Sequence, residues 1–395
     1  MRILFVNDGV GDAGGVQHYL EAVAHALRGR GHELALLHVD PLHVATDSPV
    51  GAGEAHFGVA SLGPIGAVEA SVGWRPAVVF SHNMRVLSVE RELLLRMPVV
   101  KMMHGYFGTC VGGQKMHAWP RAAACDRSFG AACLALYLPR HCGQWSASKL
   151  VEQYAWARSQ RALFGAYRTI VVASDHMRRE YERQGVPSHR VMVNPLFPLE
   201  LPTSPAPMPD EFRVVFLGRM TALKGGDVLI HAMALASREV GVGLHLTLAG
   251  DGPNRQAWQA LSASLGLDAV FPGWLEGPER TDLYRGASLV AVPSVWPEPF
   301  GLTGLEGGAH GAPAVAFDVG GIDTWLHDGV NGWLVSPRAG AEGLARALVA
   351  AFRDRAALRA RREGARRVAE EFSLTRHVDA LEQILWHAAA REAAS

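Results

Sequence analysis

Residues 201–209 read Leu-Pro-Thr-Ser-Pro-Ala-Pro-Met-Pro, four prolines in nine residues. Proline fixes φ and lacks a backbone N–H, so neither a central strand nor a helix interior accommodates such a run. The stretch divides a chain of 395 residues, longer than a single core usually supports, into two halves that are each large enough for a core. The expected organisation is a first domain over residues 1–200, a linker over 201–210 and a second domain over 211–374. A terminal helix over 375–395 lies beyond what the second sheet needs and is expected to pack back on the first domain.

Each half alternates strand and helix. Residues 3–6 are a short apolar run, followed by a glycine turn through Gly14 and Gly15, an amphipathic stretch over 19–27 and a second strand pattern over 33–39, which together form a βαβ unit. Apolar runs recur at 77–80, 99–103, 169–173 and 191–193, with a helical pattern over 175–184. After the prolines the alternation restarts, with strands over 213–217, 244–248, 289–292 and 314–317 and helices over 226–237, 255–265 and 303–310. Such alternation predicts an α/β fold with two doubly wound parallel-sheet domains. Ligands of open α/β sheets bind beyond the carboxyl ends of the strands, so the two domains are expected to face a shared cleft.

Charge narrows the partners. The 38 basic and 38 acidic residues cancel, which leaves no global field to attract nucleic acid. No apolar run reaches the roughly 18 residues of a membrane span, and the opening run is too short for a signal peptide. The expectation is a soluble cytoplasmic protein. Arg85, Arg91 and Arg96 share a stretch with Leu87, Leu93, Leu94 and Leu95, which fits a solvated surface helix or a peripheral membrane contact. Cys110, Cys125, Cys133 and Cys142 all fall within one 33-residue window. They read as buried reduced thiols or as a structural metal site, although the paired C-x2-C spacing of such sites is missing.

Two segments carry chemistry. Glu298-Pro-Phe-Gly-Leu-Thr-Gly-Leu-Glu306 follows a strand and opens a helix. The backbone N–H groups of Gly301, Leu302 and Thr303 then form a helix N-terminus, which attracts phosphate oxygens, while two carboxylates beside it suit sugar or ribose hydroxyls. The plainer reading of Glu306 is an acid near a helix start, where acids are favoured anyway. The second segment, Phe216-Leu-Gly-Arg-Met-Thr-Ala-Leu-Lys-Gly225, places Arg219 and Lys224 between a strand and a helix, as a second anion site. Lysine is rare here: of four in the chain, Lys224 is the only one after Lys149. Keeping it among arginines points to a compact point charge; a solvated helix-start lysine is the alternative.

These residues resemble the family 4 retaining glycosyltransferases of GT-B architecture, and the likeness spans almost the whole chain. Glu298 and Glu306 match the family's E-x7-E motif, and Gly218, Arg219 and Lys224 match its G-R-x-x-x-x-K diphosphate site. Gly14-Gly15, Ser81-His82-Asn83, His104-Gly105, Ala173-Ser174-Asp175 and Asn194-Pro195 look like landmarks of its first domain. Ala249-Gly250-Asp251-Gly252-Pro253, Gly273-Trp274-Leu275 and Gly320-Gly321-Ile322 look like those of its second. Gln17 and His18 depart from the charged residue many relatives carry after the glycine turn, and the cysteine segment is not general to the family.

The resemblance implies a hexosyltransferase that takes a UDP- or GDP-sugar as co-substrate, needs no cofactor and keeps the anomeric configuration. Arg219 and Lys224 would hold the diphosphate, Glu306 the ribose, and Trp274 and Leu275 would lie near the base; Asp251 counts with the donor-binding set. Glu298 and the N–H groups of Phe300, Gly301 and Leu302 would orient the sugar, with His104 and the Gly15 turn closing over it. His104 reads as a positioning donor rather than a catalytic base. No D-x-D sequence occurs, so the two cations and the helix dipole would stabilise the leaving diphosphate without metal. The acceptor is a glycan, a lipid-linked or a small-molecule one.

Two other readings stay open. Gly9-Val-Gly-Asp-Ala-Gly14 is a literal G-x-G-x-x-G, with Asp40 ending the second strand, as in nicotinamide enzymes. Against it, Asn7 and Asp8 separate strand from glycine, and the second-half phosphate motifs would be unexplained. A GT-B nucleotide-sugar epimerase or hydrolase, or a non-catalytic donor-binding subunit, would carry the same donor motifs.

Overall fold

The computed structural model describes residues 1–9, 14–39, 54–120, 122–204 and 206–390. They divide into two compact units. Met1–Trp119, Asp126–Pro195 and Leu374–Ser395 make the first, and Pro120–Cys125 with Leu196–Ser373 the second.

The first unit holds a 7-stranded sheet built from β1 (Arg2–Val6), β2 (Glu33–His38), β3 (Ala55–Gly58), β4 (Val78–Ser81), β5 (Val99–Met103), β6 (Thr169–Val172) and β7 (Val191–Val193). Its order is β3-β2-β1-β4-β5-β6-β7, and every pairing is parallel. The continuous apolar runs follow from this: Ile3, Val6, Val79 and Val171 have no solvent exposure, as central strands covered on both faces require. The longer helices ahead of its last one are α1 (Gly15–Gly29), α2 (Val59–Gly73), α3 (Leu87–Leu94), α4 (Ala147–Ala162) and α5 (Asp175–Arg183). Helix α2 bends at Gly63, where φ is 71°, ahead of Pro64. In α3, Val89, Glu90 and Leu93 face inward, while Leu95 beyond its end is exposed.

The second unit repeats the plan in a 6-stranded parallel sheet of β8 (Arg213–Leu217), β9 (His245–Ala249), β10 (Ala269–Gly273), β11 (Leu289–Val292), β12 (Ala314–Phe317) and β13 (Gly332–Val335). The order is β10-β9-β8-β11-β12-β13, so the topological switch falls between β8 and β11. Around it lie α6 (Gly226–Val240), α7 (Arg255–Ser264), α8 (Gly277–Arg285), α9 (Leu302–Ala309), α10 (Gly340–Arg353) and α11 (Arg355–Glu371). Phe216, Leu229, Met233, Leu248, Trp258, Phe317 and Leu348 meet in its core.

The proline stretch differs from a free linker. The division between the units falls ahead of it, between Pro195 and Leu196, and its backbone is tied to the second unit. The Ala206 N–H donates to the His310 carbonyl at 3.2 Å, and the Arg362 guanidinium donates to the Ala206 and Pro207 carbonyls at 3.1 and 3.2 Å. Proline removes donors but keeps carbonyls, and those carbonyls are what a buried arginine uses.

Helix α12 (Leu374–Ala390) belongs to the first unit. Val378, Leu381 and Leu385 are fully buried, and its exposed side is tied down by Arg30 with Asp379 and Glu382, at 2.6 and 2.8 Å, and by His32 with Glu382 at 2.7 Å.

Candidate functional site

In the second unit the loops after β8 and β11 flank the switch point, the position where open α/β sheets present ligand sites. Register fixes them side by side: Val215 pairs with Val290, and beyond the strands the Val295 N–H donates to the Leu223 carbonyl at 2.9 Å. Gly225 turns at φ 64°, and a Cβ there would overlap the Pro293 carbonyl. Backbones this close leave the side chains of the two loops to meet above them.

They meet at one carboxylate oxygen. Lys224 Nζ lies 2.6 Å from Glu298 Oε1, the Trp296 indole N–H donates to the same oxygen at 2.9 Å, and the Ser294 hydroxyl donates to it as well. Lys224 also lies over the Trp296 ring, 5.6 Å from its centroid. Glu298 is buried, so its charge requires these donors. All three go to Oε1, and among the described residues Oε2 has no hydrogen-bond partner. The three donors fix the orientation of the carboxylate and leave Oε2 without a protein partner among the described residues. Arg219, on the same loop as Lys224, is exposed, and its guanidinium has no partner among the described residues. Gly218 lies against the next loop: a Cβ on Gly250 would overlap the Gly218 carbonyl, and the Met220 N–H donates to the Asp251 carbonyl at 2.7 Å.

Helix α9 begins at Leu302 after Gly301, which sits at φ 79° and supplies no side-chain cap. Its first N–H groups, Leu302 and Thr303, are therefore available to an anion. Phe300 is buried, and its carbonyl accepts from the Trp325 indole at 2.7 Å. One turn in, Glu306 is buried and accepts from the Tyr284 hydroxyl of α8 at 2.9 Å. Burial, then the adjacent Glu306 charge, pushes the Tyr284 phenol far above its ordinary range, so that hydroxyl stays a donor. Asp251 and Trp274 follow β9 and β10 on the same carboxyl edge. The Asp251 carboxylate accepts from the Gly252 N–H at 2.7 Å, and half-exposed Trp274 donates from its indole to Glu276 at 2.7 Å. Leu275 beside it is half-buried.

Sequence spacing paired Glu298 with Glu306 and Arg219 with Lys224. The structure adds contacts that motif spacing does not give, Lys224 with Glu298 and Glu306 with Tyr284. Ser294, Trp296 and Tyr284 were missed. Ser294 and Trp296 had a signal, since they lie within four residues of Glu298 in a loop stiffened by Pro297 and Pro299.

The first unit gathers a histidine cluster at its own switch point. Val6 and Ser81 are in register, and His82 and His104 follow β4 and β5. His82 Nδ1 and His104 Nε2 are 3.0 Å apart and share one proton. Burial above all, with Lys101 and His377 adding repulsion, pushes the His104 imidazole down to about 3; His82 falls well below its ordinary value mainly from burial. Both rings are neutral near pH 7. Tyr19 of α1 packs edge-on against His104 with ring centroids 5.3 Å apart, and its hydroxyl meets His377 Nε2 at 2.9 Å. His377 Nδ1 lies 2.7 Å from the Pro195 carbonyl, which only accepts, so Nδ1 carries the proton and Tyr19 donates to Nε2. Gly14 and Gly15 open α1, and a side chain on either would meet no neighbour. Residues 10–13 of the G-x-G-x-x-G reading, and Asp40, lie outside the described residues.

Among the described residues no three His, Cys, Asp or Glu side chains gather as metal ligands, and the four cysteines are free thiols. No described helix is long and apolar enough to cross a membrane.

Comparison with known proteins decides what the second unit is. Residues 211–354 match the family model of glycosyl transferases group 1. The second unit is a group 1 glycosyl transferase domain. The D-inositol 3-phosphate glycosyltransferase of Nocardia farcinica is 41% identical over 172 residues, 41% of this chain and 37% of that protein. The chain thus spans less than half the length of the curated relatives it matches. For the fold, Anabaena Alr3699/HepE in complex with UDP superposes with a TM-score of 0.72 over 98% of this chain and 100% of that one at 20% identity. Sucrose-phosphate synthase of Thermosynechococcus elongatus gives 0.69 over all of both chains, also at 20%. At such identities these two show the two-domain α/β fold. In the transferase domain, the Lys224–Glu298 pair and the open N-terminus of α9 occupy the switch point of that fold.

Proposed function

We propose that the chain transfers a hexose from a nucleotide diphosphate sugar to an acceptor, with retention and without a metal. The observation that carries this is the convergence of Lys224 on Glu298 beside a free Arg219 and the uncapped start of α9. Lys224 meets a carboxylate with one spare oxygen, Arg219 lies on the same loop as Lys224, and the α9 start follows Glu298 by four residues. A diphosphate satisfies the cations and the helix start, and a sugar hydroxyl the spare oxygen.

In this reading the diphosphate takes the Leu302 and Thr303 N–H groups, Arg219 and part of Lys224. As the glycosidic bond breaks, the leaving oxygen gains charge, and Lys224 shifts from Glu298 toward it, which makes its stabilisation greatest in the transition state. Glu298 Oε2 accepts from a hydroxyl of the sugar, and Glu306, held by Tyr284, accepts from the ribose. The acceptor attacks the face the diphosphate leaves, and its proton passes to the leaving phosphate. His104 is too weak a base for that proton and positions instead.

A thermal-shift panel of UDP, GDP and ADP with their hexose conjugates tests the reading. UDP comes first, because the Alr3699/HepE neighbour was crystallised with it. The expected result is a shift with one nucleotide, since a ligand at 100 times its Kd stabilises by about 2.7 kcal/mol, and loss of it in Arg219→Ala/Lys224→Ala. No shift with any diphosphate would refute the proposal, while donor cleavage with no transfer to any added acceptor would favour a hydrolase or epimerase.

A further inference from the structure

Between β5 and β6 the first unit carries residues 105–119 and 126–162, in which the crossover helix α4 is preceded by a segment longer than its sheet needs. These residues have a small core of their own, Val111, Phe129, Tyr137, Leu150 and Ala157, with Cys133 and Cys142 against it. Their loops are locked by close approach: a Cβ on Gly112 would overlap the Cys142 carbonyl, and one on Gly143 the Tyr137 hydroxyl. Between these loops and α4 lies a half-open cavity of about 480 Å³, inside the ~300–1,000 Å³ range of small-ligand sites.

Its lining is of two kinds. Phe107 and Trp156 form aromatic walls, with ring centroids 5.9 Å apart and edge to face, and the Trp156 indole N–H is fixed on the Arg85 carbonyl at 3.0 Å. Arg85, Gln144, Lys149 and Glu152 supply donors and acceptors around them. Lys149 and Glu152 pair at 2.7 Å, and the Arg85 guanidinium has no partner among the described residues. Arg85, Phe107 and Trp156 also line a smaller, separate chamber that His82 borders. Gln144 of the cavity lining is followed in sequence by an exposed aromatic surface. There Trp145 is 69% and Trp119 58% exposed, with His141 between them, at centroid distances of 4.6 Å to Trp145 and 6.1 Å to Trp119.

Large aromatic faces left in solvent beside a polar cavity are costly unless a ligand covers them. Sugar rings match both halves: their C–H faces stack on indoles, and their hydroxyls bond amides, carboxylates and guanidinium groups. A lipid would leave the polar lining unpaired, and a lone small polyol would not reach the aromatic surface. We infer that this segment, with α4, binds an oligosaccharide, one unit in the cavity and further units along Trp145 and Trp119. The inference rests on the proposed transferase reading and assigns its acceptor class.

Saturation-transfer NMR with cellotetraose, maltotetraose, chitotetraose and mannotetraose tests it, with glucose and myo-inositol as short controls. At least one tetrasaccharide is expected to bind about tenfold or more tightly than the short controls. Trp145→Ala and Trp119→Ala are each expected to weaken it severalfold, with Trp145→Tyr restoring it and the UDP-induced melting shift unchanged. The inference fails if no tetrasaccharide binds at millimolar concentration, if the tryptophan variants bind as well as the original, or if myo-inositol binds alone. Nucleotide binding without oligosaccharide binding overturns only this assignment; the reverse overturns only the donor reading.

Discussion

Lys224 and Glu298 lie 74 residues apart in sequence and 2.6 Å apart in space, and each holds the other in a site that neither could form alone. Glu298 is almost fully buried and Lys224 partly exposed, so the consequences of removing them differ. Lys224→Ala should lower kcat by roughly 10² to 10³, the usual cost of a lost preorganised charge donor. It should also reduce stability by about 1 to 3 kcal/mol, because a buried carboxylate loses its cation. Lys224→Ala/Glu298→Gln should regain much of the stability and none of the activity. Chemical denaturation and kcat on the same preparations separate the two effects; unchanged kcat in Lys224→Ala would show the anion site to be misplaced.

Arg219 behaves differently because its guanidinium is exposed and has no partner among the described residues. Arg219→Ala should change stability by less than about 0.5 kcal/mol yet weaken nucleotide binding at least tenfold. Arg219→Lys should rescue only in part, since an ammonium does not reproduce the planar fork. Calorimetric titration with the nucleotide found by thermal shift checks both.

Acid should loosen the first unit before carboxylates are protonated. His377 is pushed down to about 4, chiefly by burial, and His104 to about 3; unfolded, both return to the ordinary value of 6.5. Between those limits the unfolded chain binds more protons, so stability rises with pH. The contribution is full above 6.5 and is lost progressively as pH falls toward 4. His377→Gln should flatten that slope, measured as melting temperature from pH 4 to 7.5. A slope unchanged by the substitution would assign the effect to other groups.

Charge stabilisation by Arg219, Lys224 and the α9 N-terminus predicts that turnover persists in excess EDTA. Loss of turnover restored by Mn²⁺ or Mg²⁺ would require an acidic clamp in its place. The anomeric coupling constant of the product should match that of the donor.

Much of the fold was legible because central parallel strands are unbroken apolar runs. The expected strands at 99–103, 191–193, 213–217, 289–292 and 314–317 coincide with β5, β7, β8, β11 and β12. Of the edge strands only β7 was legible. β3 has only partly buried residues before Gly58, β10 carries exposed Val270 and a proline, and β13 starts at a glycine pressed against Ala314. The motif glutamates announced themselves by spacing, yet their partners did not. Lys224 and Tyr284 reach them through tertiary contact, and local periodicity holds no record of that. The four lysines show the same limit. Each pairs with a glutamate, Lys101 with Glu90, Lys115 with Glu180, Lys149 with Glu152 and Lys224 with Glu298, and only the last was singled out.

The place of α12 bears on how the chain comes off the ribosome. Residues 1–195 emerge first, but the sheet they build lacks the helix that covers β4 and β5 and supplies His377 to Tyr19, Asn194 and Pro195. The second unit, nearly continuous in sequence, is complete before that helix is synthesised. The first half of the polypeptide therefore spends the whole synthesis of the second with an apolar face uncovered. A nascent chain stalled after residue 373 should bind a hydrophobic-surface chaperone, and one stalled well past residue 390 should release it.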